Sequence, residues 1–244
     1  YYQEGEQYRP TITNIIDCTI VAENTSTNAD HGCALYNNGG VIGTISGGSI
    51  QTYKHSANAS NIASNYALRN TAGGIITSIS GVTISATGSS AVYNDGQFTA
   101  QTYNKYSDKI GGIQLQNITT YGDASTIGSI SGCAISAGVQ YGIYTNGYIG
   151  SISGGSISAN YNALLNSGAG AVSSYQFDRT YTTNTDSTTE TKREETYVRN
   201  LETGGVINSI SGVSFIGTGS NSYYLLQNQG YIGTLSNSSF SATT

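Results

Sequence analysis

The chain has 244 residues, of which 37% are hydrophobic and only 9% charged, and its formal net charge is -5. So little charge excludes an ordinary solvated globular surface and a charge-driven disordered chain, leaving Ser, Thr and Asn to cover the outside. The small acidic balance cannot neutralise a run of phosphates, which argues against a nucleic-acid partner, and no apolar run is long enough for a transmembrane segment.

The chain opens "YYQEGEQYRP" and contains no Met, so it reads as a processed product or an excised segment. Residues 1–33 are irregular and are expected to form a cap or arm at the start of a single domain covering 1–244. From Ile12 onward one pattern recurs, an aliphatic residue followed by others 3 and 8 positions later. The copies begin at Ile12, Ile42, Ile76, Ile110, Ile127, Ile149, Ile207 and Ile232. Five carry an intact Ile-Ser-Gly, at Ile45, Ile79, Ile130, Ile152 and Ile210. The tightest full period, Ile127 to Ile149, is 22 residues, and longer ones imply loops inserted into a fixed frame.

Side chains alternate along a strand, so inward residues at odd spacing demand that the backbone turn between them. Gly150 and the pair Gly154-Gly155 fall in those gaps and are expected at corners. A helix is a poor alternative, because β-branched residues, Ser and Gly recur every few positions. The pattern therefore predicts an all-β fold: a right-handed parallel β-helix, or β-solenoid, with coils of about 22 residues and about three sides each. Stacked coils place Ile45, Ile79, Ile113, Ile130, Ile152, Ile210 and Leu235 in one inner structural ladder.

A second signature, an aliphatic residue followed by Asn close to Gly, precedes most copies, as in "LYNNGG", "VYNDG" and "LLNSG". Asn37, Asn70, Asn94, Asn146, Asn166 and Asn228 are expected to form a hydrogen-bonded asparagine ladder at a turn. Tyr36, Tyr93 and Tyr144 share one position beside that turn. They form either a stacked column able to hold sugars or a partner, or half-buried packing on a sheet face.

The largest departure is "DRTYTTNTDSTTETKREETYVRN", residues 178–200, with 9 of the chain's 23 charged residues. Thr-rich alternation on both sides of "NTDS" suggests a protruding β-hairpin arm, with a disordered loop as the competing reading. Its Tyr181, Arg193 and Tyr197, with the column tyrosines, make up the candidate contact surface. The three cysteines suit small buried hydrophobes, with a Cys18–Cys33 disulfide left open and Cys133 structural. Asp17, Asp95, Asp108 and Asp123 fall at different repeat offsets, and His31 and His55 lie in irregular insertions. We therefore expect no catalytic site, no metal and no cofactor.

The "YGIYTNGYIGSISGGSIS" and "ALLNSG" copies resemble the short repeats of β-helical passenger domains in bacterial autotransporter-type surface proteins. The resemblance covers most of 34–174 and 204–240 and implies an exported stalk or adhesin rather than an enzyme. The expected function is thus a structural extracellular solenoid at the bacterial cell surface: a stalk, an adhesin, or a filament subunit that self-assembles head-to-tail. Surface glycans or host proteins are the other expected partners. A glycan-binding module using surface tyrosines is the main alternative, and a polysaccharide-degrading enzyme a lesser one.

Overall fold

The computed structural model describes residues 9–24, 32–54, 65–96, 100–107, 114–121, 124–168, 171–185, 188–203, 205–219 and 224–242; at 24, 54, 100–121 and 171–203 the description is of the backbone alone. The chain winds in coils of three strands. The first is β1 (Thr11–Ile16), β2 (Thr19–Asn24) and β3 (Cys33–Asn38), and the second β4 (Val41–Ser46), β5 (Ser49–Lys54) and β6 (Tyr66–Thr71). The third is β7 (Ile75–Ser80), β8 (Thr83–Ala86) and β9 (Val92–Asp95). A hairpin of β10 (Ala100–Ser107) and β11 (Gln114–Tyr121) intervenes. The fourth coil is β12 (Thr126–Ser131), β13 (Ala134–Ala137) and β14 (Tyr141–Thr145), and the fifth β15 (Tyr148–Ser153), β16 (Ser156–Ala159) and β17 (Asn162–Asn166). After a second hairpin, β18 (Ala171–Thr185) and β19 (Thr188–Thr203), come β20 (Val206–Ser211), β21 (Ser214–Gly217) and β22 (Leu226–Asn228). The last turn is β23 (Tyr231–Ser236) and β24 (Ser239–Ala242).

First, second and third strands of successive coils pair in parallel and in sequence order. They form sheet I (β1-β4-β7-β12-β15-β20-β23), sheet II (β2-β5-β8-β13-β16-β21-β24) and sheet III (β3-β6-β9-β14-β17-β22). The protein is therefore all-β, a three-sided parallel β-solenoid rather than a closed barrel. Among the described residues no helix is long and apolar enough to cross a membrane.

Register puts like residue over like. Sheet I stacks Ile42, Ile76, Ile127, Ile149 and Ile207, and beside them Ile45, Ile79, Ile130, Ile152 and Ile210. Sheet II adds Ile50, Ile84, Ile135, Ile157 and Phe215, and sheet III adds Leu68, Val92, Ile143 and Leu164. All are buried in one continuous core. Burying each such side chain is worth about 1.5–3 kcal/mol, so a narrow tube gains stability by repetition rather than thickness.

The corner from sheet I to sheet II has a left-handed residue at the same place in every coil, Asp17, Gly47, Gly81, Gly132, Gly154, Gly212 and Asn237, with φ between 50° and 66°, and in two coils a second one follows, Gly48 and Gly155. Only Gly takes this conformation freely, with Asn and Asp the next most tolerant, and those are the residues present.

The fold departs from several expectations. Gly150 is not a corner. Ile149 and Ile152 lie on the same strand and both face inward, because pairing skips the intervening glycine and resumes at Ser151↔Ser209. A Cβ on Gly150 would lie 2.3 Å from the Gly128 carbonyl oxygen of the coil below, so its bareness permits that local irregularity.

The Ile110 copy is not a coil. Ile110 and Ile113 lie outside the described residues, while Ile118 sits in β11, paired antiparallel with Tyr103. Sheet I passes directly from Ile79 to Ile130, which leaves no place for Ile113 in the ladder. Leu235 does stand in ladder register on Ile210, yet it is 46% exposed where Ile45 is 1%, since no described coil covers it.

Residues 11–24, within the stretch expected to be irregular, form two regular strands, and 1–8 and 25–31 lie outside the described residues. The 178–200 insertion is a hairpin longer than expected, with Ala171 paired to Thr203 and Thr185 to Thr188. All three cysteines are free, and Cys18 is exposed in the first coil whereas Cys133 is buried.

Candidate functional site

The most elaborated region is sheet III and the turn that follows it. On each strand an inward aliphatic residue is followed by an outward side chain and then by an inward polar one, as in Leu68-Arg69-Asn70. The polar row is the asparagine ladder. Asn37 Nδ2 donates to Asn70 Oδ1 at 2.8 Å, Asn70 Nδ2 to Asn94 Oδ1 at 2.9 Å, and Asn166 Nδ2 to Asn228 Oδ1 at 2.8 Å. Asn37, Asn70 and Asn94 also tie their own turn and the next coil, as where Asn70 Nδ2 donates to the carbonyls of Gly74 and Thr126, and Asn166 Nδ2 reaches the next coil at the Tyr231 carbonyl.

Asn146 is not in this row. Thr145 is, pairing in register with Asn94 and Asn166, and its Oγ1 accepts from Asn94 Nδ2 at 3.1 Å. The Thr145 hydroxyl, on a shorter side chain than an amide's, makes no onward bond, and Asn166 Oδ1 is left covered and without a partner. Asn146, one residue later, instead clamps the base of the first hairpin. Its Nδ2 donates to Asp95 Oδ1 at 2.7 Å, and its Oδ1 accepts from Gly96 N at 2.9 Å.

The outward row of the same strands is Tyr36, Arg69, Tyr93, Tyr144, Leu165 and Gln227. Arg69 and not another tyrosine stands between Tyr36 and Tyr93. Its guanidinium carbon lies 5.1, 5.5 and 5.8 Å from the ring centroids of Tyr36, Tyr66 and Tyr93, within cation–π range. Tyr93 and Tyr144 stack at 4.7 Å with planes 10° apart, and Tyr66 leans on Tyr93 at 4.4 Å. Tyr141 continues the cluster to Tyr144 and, edge-on, to Tyr161.

The tyrosines therefore form one connected patch across several coils, exposed at Tyr36 and Tyr161 and half-buried between them. Tyr66 and Arg69 escape a reading that follows tyrosines at a single repeat position. For Arg69 the signal lay in the row itself, one residue after each inward aliphatic, whereas Tyr66 lies outside that row, in register with Cys33.

Burial is the main cause of every pKa shift here. It raises Tyr66, Tyr93 and Tyr141, with the Asp95 carboxylate adding to the rise at Tyr93, whose hydroxyl donates to Asp95 Oδ2 at 3.2 Å. Burial pushes the Cys33 thiol up to about 11, against a lesser opposing pull from Arg69.

The other contact residues do not join this patch. Tyr181, Arg193 and Tyr197 lie on the second hairpin, a separate two-stranded sheet, and their side chains are outside the described residues. Asp108, Asp123, His31 and His55 are likewise outside them. Asp17 sits at the sheet I–II corner of the first coil and Asp95 at the end of a sheet III strand, so these two carboxylates do not converge. Among the described residues no group of three His, Cys, Asp or Glu side chains could hold a metal. Comparisons with protein-family models, curated proteins and solved structures return no match.

Proposed function

We propose that the chain is a structural extracellular β-solenoid, a right-handed parallel β-helix serving as a bacterial surface stalk, adhesin or self-assembling filament subunit. The right hand is the one that parallel strand–crossover–strand connections overwhelmingly take. The observation that carries the role is the like-on-like register of the coils, each of which presents the same rows to the next. Ile12 at one end, and Leu235 and Phe240 at the other, are about half exposed, although they continue rows that the interior buries completely. Such a face, apolar and, among the described residues, edged by strands with no further partner strand, is matched in shape and register by another coil of the same kind. Coil-on-coil contact between copies is heterologous and open-ended, and it yields filaments. A Ser/Thr/Asn-rich surface with little charge suits an exported protein of this kind, as does the likeness to autotransporter passenger repeats.

Electron micrographs of the purified protein test the reading. Linear end-to-end particles are expected, and L235K with F240K should disperse them. Monomers alone at high concentration would remove the filament role. A second reading, a glycan-binding module, is favoured by the connected tyrosine patch of sheet III.

A further inference from the structure

The tyrosine patch does not offer ring faces to a ligand along most of its length. Tyr93 and Tyr144 cover one another, and Arg69 is held among the rings of Tyr36, Tyr66 and Tyr93. What points outward is an edge of hydrogen-bond groups, about one per coil. Arg69 stands out within it. Its Nε is covered and has no acceptor, and among the described residues its remaining N–H groups have no partner and no carboxylate pairs with it. The carboxylate that could have served, Asp95, is held on both oxygens, by Asn146 and by Tyr93. Beside Arg69, the Tyr36 hydroxyl accepts from Thr71 Oγ1 at 3.2 Å and so keeps its own proton for an outside acceptor.

We infer that this edge is an anion-recognising row for an acidic oligosaccharide, with Arg69 gripping a sugar carboxylate and the Tyr36 and Tyr144 hydroxyls bonding adjacent sugar oxygens. A planar guanidinium fork fixed by aromatic neighbours suits bidentate carboxylate recognition, because little side-chain freedom is left to lose on binding. An acidic peptide fits less well. An extended peptide presents side chains to one face only every ~6.7 Å, whereas the rungs here repeat at ring spacings such as 4.7 Å. The inference rests on the glycan-binding reading and adds to it the charge of the ligand and the residue that reads it.

The test is calorimetric titration of the whole chain with tetragalacturonate, with its fully methyl-esterified counterpart, and with an oligoglutamate peptide of equal charge. The acid sugar should bind, weaken as salt rises, and lose at least tenfold in affinity in R69Q, with a partial loss in R69K. Shifts of the Arg69 Nε–H and Tyr144 ring resonances in the unmodified protein provide the same information should R69Q fail to fold. Equal binding of the ester would overturn the acidic class while leaving glycan binding standing. Silence from both sugars would overturn both, and tighter binding of oligoglutamate would overturn the saccharide in favour of a peptide.

Discussion

Thr145 breaks a chain of amides that otherwise runs unaided through the coils, and T145N should mend it. Asn166 Oδ1 is covered and unpartnered, a state that costs about 1–3 kcal/mol. An amide at 145 would accept from Asn94 as Thr145 Oγ1 now does, and would turn its own Nδ2 toward Asn166 Oδ1. By the pattern of Asn70, the same nitrogen would meet the carbonyls of Gly147 and Val206. After the loss of side-chain freedom the expected gain is about 1–2 kcal/mol, or roughly 2–8 °C in Tm for a chain of this size. Thermal and urea melts followed by far-UV circular dichroism give the measurement. T145V is the counterpart: it strips the acceptor from Asn94 and should lose about 1 kcal/mol. An unchanged or lower midpoint for T145N, with a native spectrum, would refute the view that amide continuity stabilises this turn.

The two kinds of glycine at the sheet I–II corner should respond differently. Gly132 needs its φ of 59° but faces open space, so G132N should cost under about 1 kcal/mol. Gly155 has a φ of 74°, and a Cβ there would sit 2.2 Å from the Cys133 carbonyl oxygen, so G155A should cost about 3 kcal/mol or more in the same melts. I130A, in the middle of the buried ladder, should lose about 2–5 kcal/mol, and I152D should abolish folding by placing an unpaired charge in the tube, as read by loss of the β spectrum. Stability should also fall between about pH 9 and pH 11. The Cys33 thiol stays protonated in the folded chain up to about 11, while the unfolded chain releases the proton near 9. Its contribution is complete below pH 9 and lost as pH rises through 11, so C33A should show a shallower alkaline decline in urea midpoint.

The sheets were legible in the sequence because stacking forces the same side chain on the same place of every coil. The false copy at Ile110 shows where spacing alone fails. Five positions after the first isoleucine, every true coil has Gly, Asp or Asn at the left-handed corner, but here the residue is Leu115, which tolerates that conformation poorly. The ladder was misread at Asn146 for a related reason. Nearness of an Asn to a Gly is a weaker guide than its distance from the inward aliphatic residue, which puts Thr145, two after Ile143, in the row. The isolation of Arg69 could not be read at all, since it depends on Asp95 being held by an Asn from the next coil.

Both hairpins leave the solenoid after a sheet III strand and before a sheet I strand, from β9 to β12 and from β17 to β20. At each site the flanking rungs pair as if nothing had intervened, Ile79 with Ile130 and Ile152 with Ile210. Chain can therefore exit and re-enter at one rung without disturbing the winding, which makes this seam a natural socket for grafting. A foreign peptide or enzyme spliced in place of residues 97–123 or 169–204 would be displayed at a chosen height along the rod, leaving the hydrophobic tube to fold as before.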